Sequence, residues 1–194
     1  MATSKQEAMW VLRAQCDDRE ALEQLLRCIQ PAVRRFICRI VGPSHADDVL
    51  QDILVIVCRK LNSLHTPELL WPWVYRVASR QAFRHLERQR RWPQQTADES
   101  LLAELPAPSA CSPTEELQEL LALEILPPAS RTVLALHFQE ELSLAEVAAI
   151  LKLPIGTVKS RLAYGLTTIR KHLGKKSVIR GWARKSCWTQ SFQF

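Results

Sequence analysis

One stretch constrains the fold of this chain more than any other: Leu142 to Leu162, reading LSLAEVAAILKLPIGTVKSRL. Ser143 suits a helix N-cap, and Glu146, three residues on, completes a capping box. Pro154 has no amide hydrogen and cannot continue the helix that starts there. The spacing therefore predicts two helices, Ser143–Leu151 and Ile155–Leu173, with a turn between them. Ala148 is small enough for the second helix to cross close by, and Ile150, Val158 and Leu162 supply an apolar seam. This is helix-turn-helix patterning. The second helix would present Thr157, Lys159, Ser160 and Arg161 near its N-terminus, where this motif enters a DNA major groove. A guanidinium at Arg161 suits the paired acceptors of guanine, and Lys159 or Ser160 suits phosphate. The competing reading is an ordinary helical hairpin with a solvated basic face.

Charge favours the first reading. The net +6 divides into +5 over residues 1–92, −7 over 93–126 and +8 over 127–194. Two basic ends joined by an acidic middle suggest two surfaces for a polyanion and a linker that avoids it. The acidic block contains no Lys or Arg, and its first part, 93–113, carries four prolines with little periodicity, as a linker does.

The rest of the chain is patterned for helices. With 5 glycines in 194 residues and no strand-like alternation, an all-α fold is expected. Leu22, Leu25, Leu26, Ile29, Val33, Phe36, Ile37 and Ile40 predict a helix over Arg19–Val41, capped by Asp17 or Asp18, ended by Gly42-Pro43 and kinked or split at Pro31. A second helix is expected over His45–Leu61 with Ser44 as N-cap, and a third over Pro72–Arg91. Helical pattern resumes at Thr114, breaks at Pro127-Pro128 and continues over Ala129–Gln139. This predicts two small helical domains, 1–92 and 114–173, joined by the linker 93–113 and followed by a basic, aromatic tail, 174–194.

Several function classes are excluded or made remote. No run approaches the roughly 20 apolar residues of a membrane span. Residues 1–10 lack the apolar core of a secretory leader, so a cytoplasmic protein without membrane insertion is expected. The cysteines (Cys16, Cys28, Cys38, Cys58, Cys111, Cys187) form no C-x-x-C pair, so no metal site is expected. Cys28, Cys38 and Cys58 fall among apolar helical positions, where a thiol packs as a small hydrophobe. His45, His65, His85, His137 and His172 stand singly, with no catalytic constellation around them, so no enzyme and no cofactor is expected.

At this point the chain resembles a family. Ala46-Asp47-Asp48-Val49-Leu50-Gln51-Asp52-Ile53-Leu54 resembles the signature of sigma region 2, and Trp73-Val74-Tyr75-Arg76-Val77-Ala78 the helix that follows it. Leu126-Pro127-Pro128-Ala129-Ser130-Arg131 and Gly156-Thr157-Val158-Lys159-Ser160-Arg161 resemble two hallmarks of sigma region 4. Order, spacing and the acidic linker are similar to bacterial sigma factors of the extracytoplasmic-function type, over about Asp17 to Leu173. The resemblance implies a non-enzymatic subunit that binds core RNA polymerase, recognises −35 and −10 promoter elements and promotes melting. A stand-alone helix-turn-helix regulator is the alternative.

The resemblance also implies roles. Asp48, Gln51 and Asp52, at i, i+3 and i+4 on one helix face, would dock on the clamp helices of the polymerase's largest subunit. Region 4 would meet the flap of the second largest. Arg76, Arg80, Arg84 and Arg88 at steps of four, with Arg90 and Arg91 beyond, would follow −10 DNA, double- or single-stranded. Trp71, Trp73, Tyr75 and Phe83 stand nearby for stacking, though Trp73 suits a core better. Leu64, Arg80 and Arg84 replace residues usual around the family's −10 pocket, which bears on the −10 preference and not on polymerase binding. Thr157, Lys159, Ser160 and Arg161 would read the −35 element. An anti-sigma partner is a further implication.

Overall fold

The computed structural model describes residues 3–91 and 125–173, and the described residues contain helices and no strand. The expected linker, the expected helix from Thr114 up to residue 124, and the tail 174–194 lie outside them. So does Trp92.

The first unit has four helices. α1 (Lys5–Gln15) was not foreseen, yet its start is capped as at Ser143: the Glu7 amide donates to Ser4 Oγ at 3.1 Å and the Ser4 amide to Glu7 Oε2 at 2.6 Å. α2 (Arg19–Val41) has the expected bounds, with Asp18 accepting from the Ala21 amide. Pro31 does not split it. Ile29, Ala32 and Val33 are buried on either side, and that packing outweighs the one backbone hydrogen bond a proline removes. Gly42, at φ 88, makes the corner to the next helix in a region that Cβ-bearing residues avoid. α3 (Pro43–Lys60) then begins two residues before the expected His45, because Pro43 suits a first helical position and Ser44 is inside the helix. α4 (Leu70–Arg91) likewise begins before Pro72, after two short turns at Leu61–Ser63 and Pro67–Leu69. Gln15 Nε2 spans that loop, donating to the carbonyls of Leu61 at 2.9 Å and Leu64 at 2.8 Å.

The described residues of the second unit form three helices. α5 (Pro128–Leu134) widens into a π-turn over Ala135–Gln139. α6 (Leu144–Leu151) carries the foreseen capping box of Ser143 and Glu146. Lys152 ends it in the left-handed region at φ 54. α7 (Ile155–Leu173) follows, and Ile150, Val158 and Leu162 are buried as expected. A Cβ on Gly165 of α7 would stand 2.7 Å from Leu134 Cδ1, so α7 crosses α5 where only hydrogen fits.

The two units pack on each other, and their apolar cores join in one buried cluster. Arg131 Nη1 on α5 donates to the carbonyls of Arg39 and Ile40 at 3.3 and 3.4 Å. Arg76 on α4 donates from Nη2 to the Ala149 carbonyl at 3.0 Å and from Nε to the Ile150 carbonyl at 3.3 Å. Two side-chain pairs complete the junction, Tyr75 Oη to Glu140 and Arg39 Nη1 to Gln139. Cys28 and Cys38 pack at the core edge as expected, but Cys58 is exposed, one step past buried Val57 on α3 and beside Arg59 and Lys60.

Candidate nucleic-acid interface

On α3 the buried positions Ala46, Val49, Leu50, Ile53 and Val57 set the inward face, which turns Asp48, Gln51 and Asp52 outward together. All three are exposed, with Val55 at 42 % exposure one turn further on. His45 and His85 lie beside this face with ring centroids 4.9 Å apart. Burial, the neighbouring His45 and Arg88 lower the pKa of His85, against the opposing pull of Asp48 and Asp52. Among the described residues no three His, Cys, Asp or Glu side chains gather to hold a metal.

On α4 the inward face is Leu70, Trp71, Val74, Tyr75, Ala78 and Ala82. Arg80, Arg84, Arg88, Arg90 and Arg91 are exposed, and Arg76 is partly buried against the end of α6. The structure corrects three assignments. Leu64 is 5 % exposed and belongs to the core, because its 3-10 turn folds beneath Gln15, so its side chain is not offered to DNA. Trp71 and Tyr75 are 4 % and 1 % exposed and stack on each other at 5.9 Å, with Phe36 meeting Tyr75 edge-on at 5.2 Å. They are core rings, not base platforms.

On α7 Lys159 and Ser160 are exposed, Thr157 is half-buried, and Ser160 Oγ donates to the Thr157 carbonyl at 3.0 Å. Arg161 faces inward across a cleft of about 300 Å³ between the units, whose walls include Arg76, Ser79, Arg80, Phe83 and Ile150. The structure thus brings Arg161 toward Arg76 and Arg80, which sequence reasoning had assigned to different DNA elements.

Three junction residues, Arg39, Gln139 and Glu140, were missed. Glu140 is 5 % and Arg39 is 7 % exposed. Burial lowers the Arg39 pKa despite the Glu140 charge nearby. Burial, and then the Glu140 carboxylate, push the Tyr75 phenol strongly upward. One signal was legible: Arg39 interrupts the apolar run Phe36-Ile37-Cys38-Arg39-Ile40-Val41, and a charge there needs a partner.

Comparison with known proteins assigns both units. The Sigma-70 region 2 family matches residues 25–91, and Sigma-70 region 4 matches residues 122–171. Together these span more than half of the chain. The chain is 29 % identical over 164 residues to the ECF RNA polymerase sigma-E factor of Escherichia coli, covering 78 % of this chain and 86 % of that one. It is 29 % identical over 186 residues to the RNA polymerase sigma-H factor of Pseudomonas aeruginosa, covering 89 % and 96 %. Its fold resembles the sigma factor RpoE solved with the anti-sigma factor NepR from Bartonella quintana, with TM-score 0.64 and 23 % identity over 80 % of this chain and 98 % of that one. CnrH, solved with the cytosolic domain of CnrY, gives TM-score 0.61 and 19 % identity over 89 % and 100 %.

Proposed function

This chain belongs to the sigma-70 family and is a sigma factor, a non-enzymatic subunit that binds RNA polymerase and promoter DNA to initiate transcription, and from that premise we propose how its residues divide the work. Residues 1–92 form region 2, 93–113 a linker and 114–173 region 4. The exposed α3 face of Asp48, Gln51 and Asp52 docks on the clamp helices of the polymerase's largest subunit, and region 4 docks on the flap of the second largest. On α4, Arg76, Arg80, Arg84, Arg88, Arg90 and Arg91 follow the −10 strands through their phosphates. On α7, Thr157, Lys159, Ser160 and Arg161 read the −35 duplex. No −10 role is assigned to Leu64.

The observation that carries this reading is the shared exposure of three polar side chains on the outer face of a helix whose inner face is fully apolar. A stand-alone regulator has no use for that face, nor for region 2. The protein works in the cytoplasm, and on the nucleoid once holoenzyme forms. Two structural neighbours were solved with anti-sigma partners or a partner's cytosolic domain, and a protein of that kind is proposed to control this one.

Charge reversal tests the docking face. Asp48→Lys with Asp52→Lys is expected to abolish co-elution with core polymerase in gel filtration while the helical circular dichroism stays unchanged. Undiminished co-elution would remove α3 from the polymerase interface.

A further inference from the structure

The cleft of about 300 Å³ between the units is lined by three arginines, Arg76 and Arg80 of α4 and Arg161 of α7. Among the described residues no acidic side chain lines it. Arg76 is already engaged, donating to the Ala149 and Ile150 carbonyls, so it adds charge and braces the wall. Arg80 and Arg161 have neither a hydrogen bond nor an ion pair among the described residues. Like charges gathered in a partly enclosed space repel one another, and an anion placed among them relieves that cost.

Ser79 is a second, independent sign of a ligand. It is 3 % exposed and lines this cleft, and its Oγ finds no hydrogen-bond partner among the described residues. A hydroxyl buried without a partner costs free energy that a ligand oxygen would recover. The rest of the lining is apolar: Phe83, Ala129, Ile150, Leu151 and Leu153. The ligand therefore needs an anionic head and an apolar body. Two guanidinium forks and a hydroxyl, approaching from two helices, suit the three tetrahedral oxygens of a phosphate better than the planar pair of a carboxylate. The volume lies at the small end of ligand sites and leaves room for one ring system beyond the head group. Phe83 offers that ring an aromatic neighbour.

We propose that this cleft is a binding site for a small aromatic phosphate, with the phosphate held by Arg80, Arg161 and Ser79 and the ring seated among Phe83, Ile150 and Leu153. Because α4 and α7 both hold the head group, the bound molecule bridges regions 2 and 4. The site goes beyond the polymerase and promoter roles and needs neither polymerase nor DNA to fill.

The probe is phenyl phosphate, titrated into full-length free protein by calorimetry at fixed ionic strength. Inorganic phosphate, the head alone, and benzoate, a ring with a carboxylate head, are the comparison arms. Phenyl phosphate is expected to bind in one saturable step, to bind about tenfold or more tightly than either comparison anion, and to raise the melting temperature. Arg80→Gln and Arg161→Gln each remove a charge-assisted hydrogen bond and are expected to weaken it about tenfold. Arg80 is exposed, so Arg80→Gln carries the test if the Arg161 variant does not fold. Lys60→Gln removes the same charge from the exposed end of α3, outside the cleft, and should leave binding unchanged. Ser79→Ala should weaken phenyl phosphate while the ligand-free melting temperature holds or rises, because the hydroxyl it removes is unpartnered there. The site is overturned by the absence of saturable binding, or by comparison anions that bind as tightly. Equal weakening by Lys60→Gln, the mark of diffuse attraction to a basic surface, overturns it too, as does a Ser79→Ala variant that binds like the wild type.

Discussion

At the level of single residues, close packing and base reading make opposite demands. Gly165 has no room: a methyl group there would press on Leu134 Cδ1, itself 0 % exposed, and Ser130 Cβ lies 3.6 Å away. Gly165→Ala is expected to destabilise the protein by about 1–3 kcal/mol, the usual cost of overpacking, even though alanine is the better helix former. Urea titration checks the sign, and a stabilised variant would mean that α7 does not cross α5 here. Arg161 has room and a choice of partner. In holoenzyme, Arg161→Ala is expected to cost about 1–3 kcal/mol at one −35 base pair and relax preference there, whereas Lys159→Ala weakens all sequences alike. A panel of single-base promoter variants separates the two, and an intact preference in Arg161→Ala would shift the reading register. The inward and outward faces of these helices were legible because apolar spacing sets them. Leu64 and Tyr75 were misplaced because a family alignment locates a position along the chain and says nothing of which way a loop or ring turns.

At the level of helices, ends are written in caps, and the caps that break the expected order are instructive. Ser143 with Glu146 and Asp18 with Ala21 were readable from residue type alone. Ser4 with Glu7 has the same form but precedes a helix whose lone fully buried residue is Val11, so no apolar run announced it. Ser44 looked like a cap and is not one, because Gly42 at φ 88 turns the chain before it and Pro43 already begins α3. The caps also titrate. The Ser143 hydroxyl, and then its amide, hold the Glu146 carboxyl below its ordinary 4.5. The Ala21 amide and Arg13 lower Asp18, and Arg34 lowers Asp47. A carboxyl whose pKa is depressed on folding stabilises the fold above its unfolded value and loses that contribution as pH falls through its folded one. Stability is therefore expected to decline from pH 7 to about 5, as the unfolded chain takes up a proton that folded His85 resists, and to fall further below 4.5 as these carboxyls protonate in the wild type. Glu146→Gln should be less stable at pH 7 and show a shallower acid slope. Thermal melts from pH 7 to 3 check this, and parallel profiles would mean that the capping box does not titrate.

At the level of the whole molecule, two units legible as separate domains share one buried cluster, and nothing in the periodicity of either foretold that. An interface residue such as Tyr75 has the same spacing as interior ones, and Glu140 sits in a short acidic pair that reads as solvated. The distinction becomes visible only when both units are placed together. Its thermodynamic consequence is cooperativity. A small domain held to its neighbour by buried contacts unfolds with it, provided that parting them costs more than unfolding the weaker one. Among the described residues region 4 has the smaller core, which includes Val133, Leu134, Leu136, Val147, Ile150, Val158 and Leu162, so it is the dependent partner. Leu134→Ala empties the centre of that core and is expected to remove about 2–5 kcal/mol. In an otherwise wild-type chain, calorimetry should show one transition at lower temperature, with calorimetric and van't Hoff enthalpies equal. Combined with Tyr75→Phe, which uncouples the units, the same cavity should split the endotherm into an early region 4 step and a later region 2 step. Two resolved transitions in the wild type would mean that the units fold independently and that the shared cluster contributes little to holding them together.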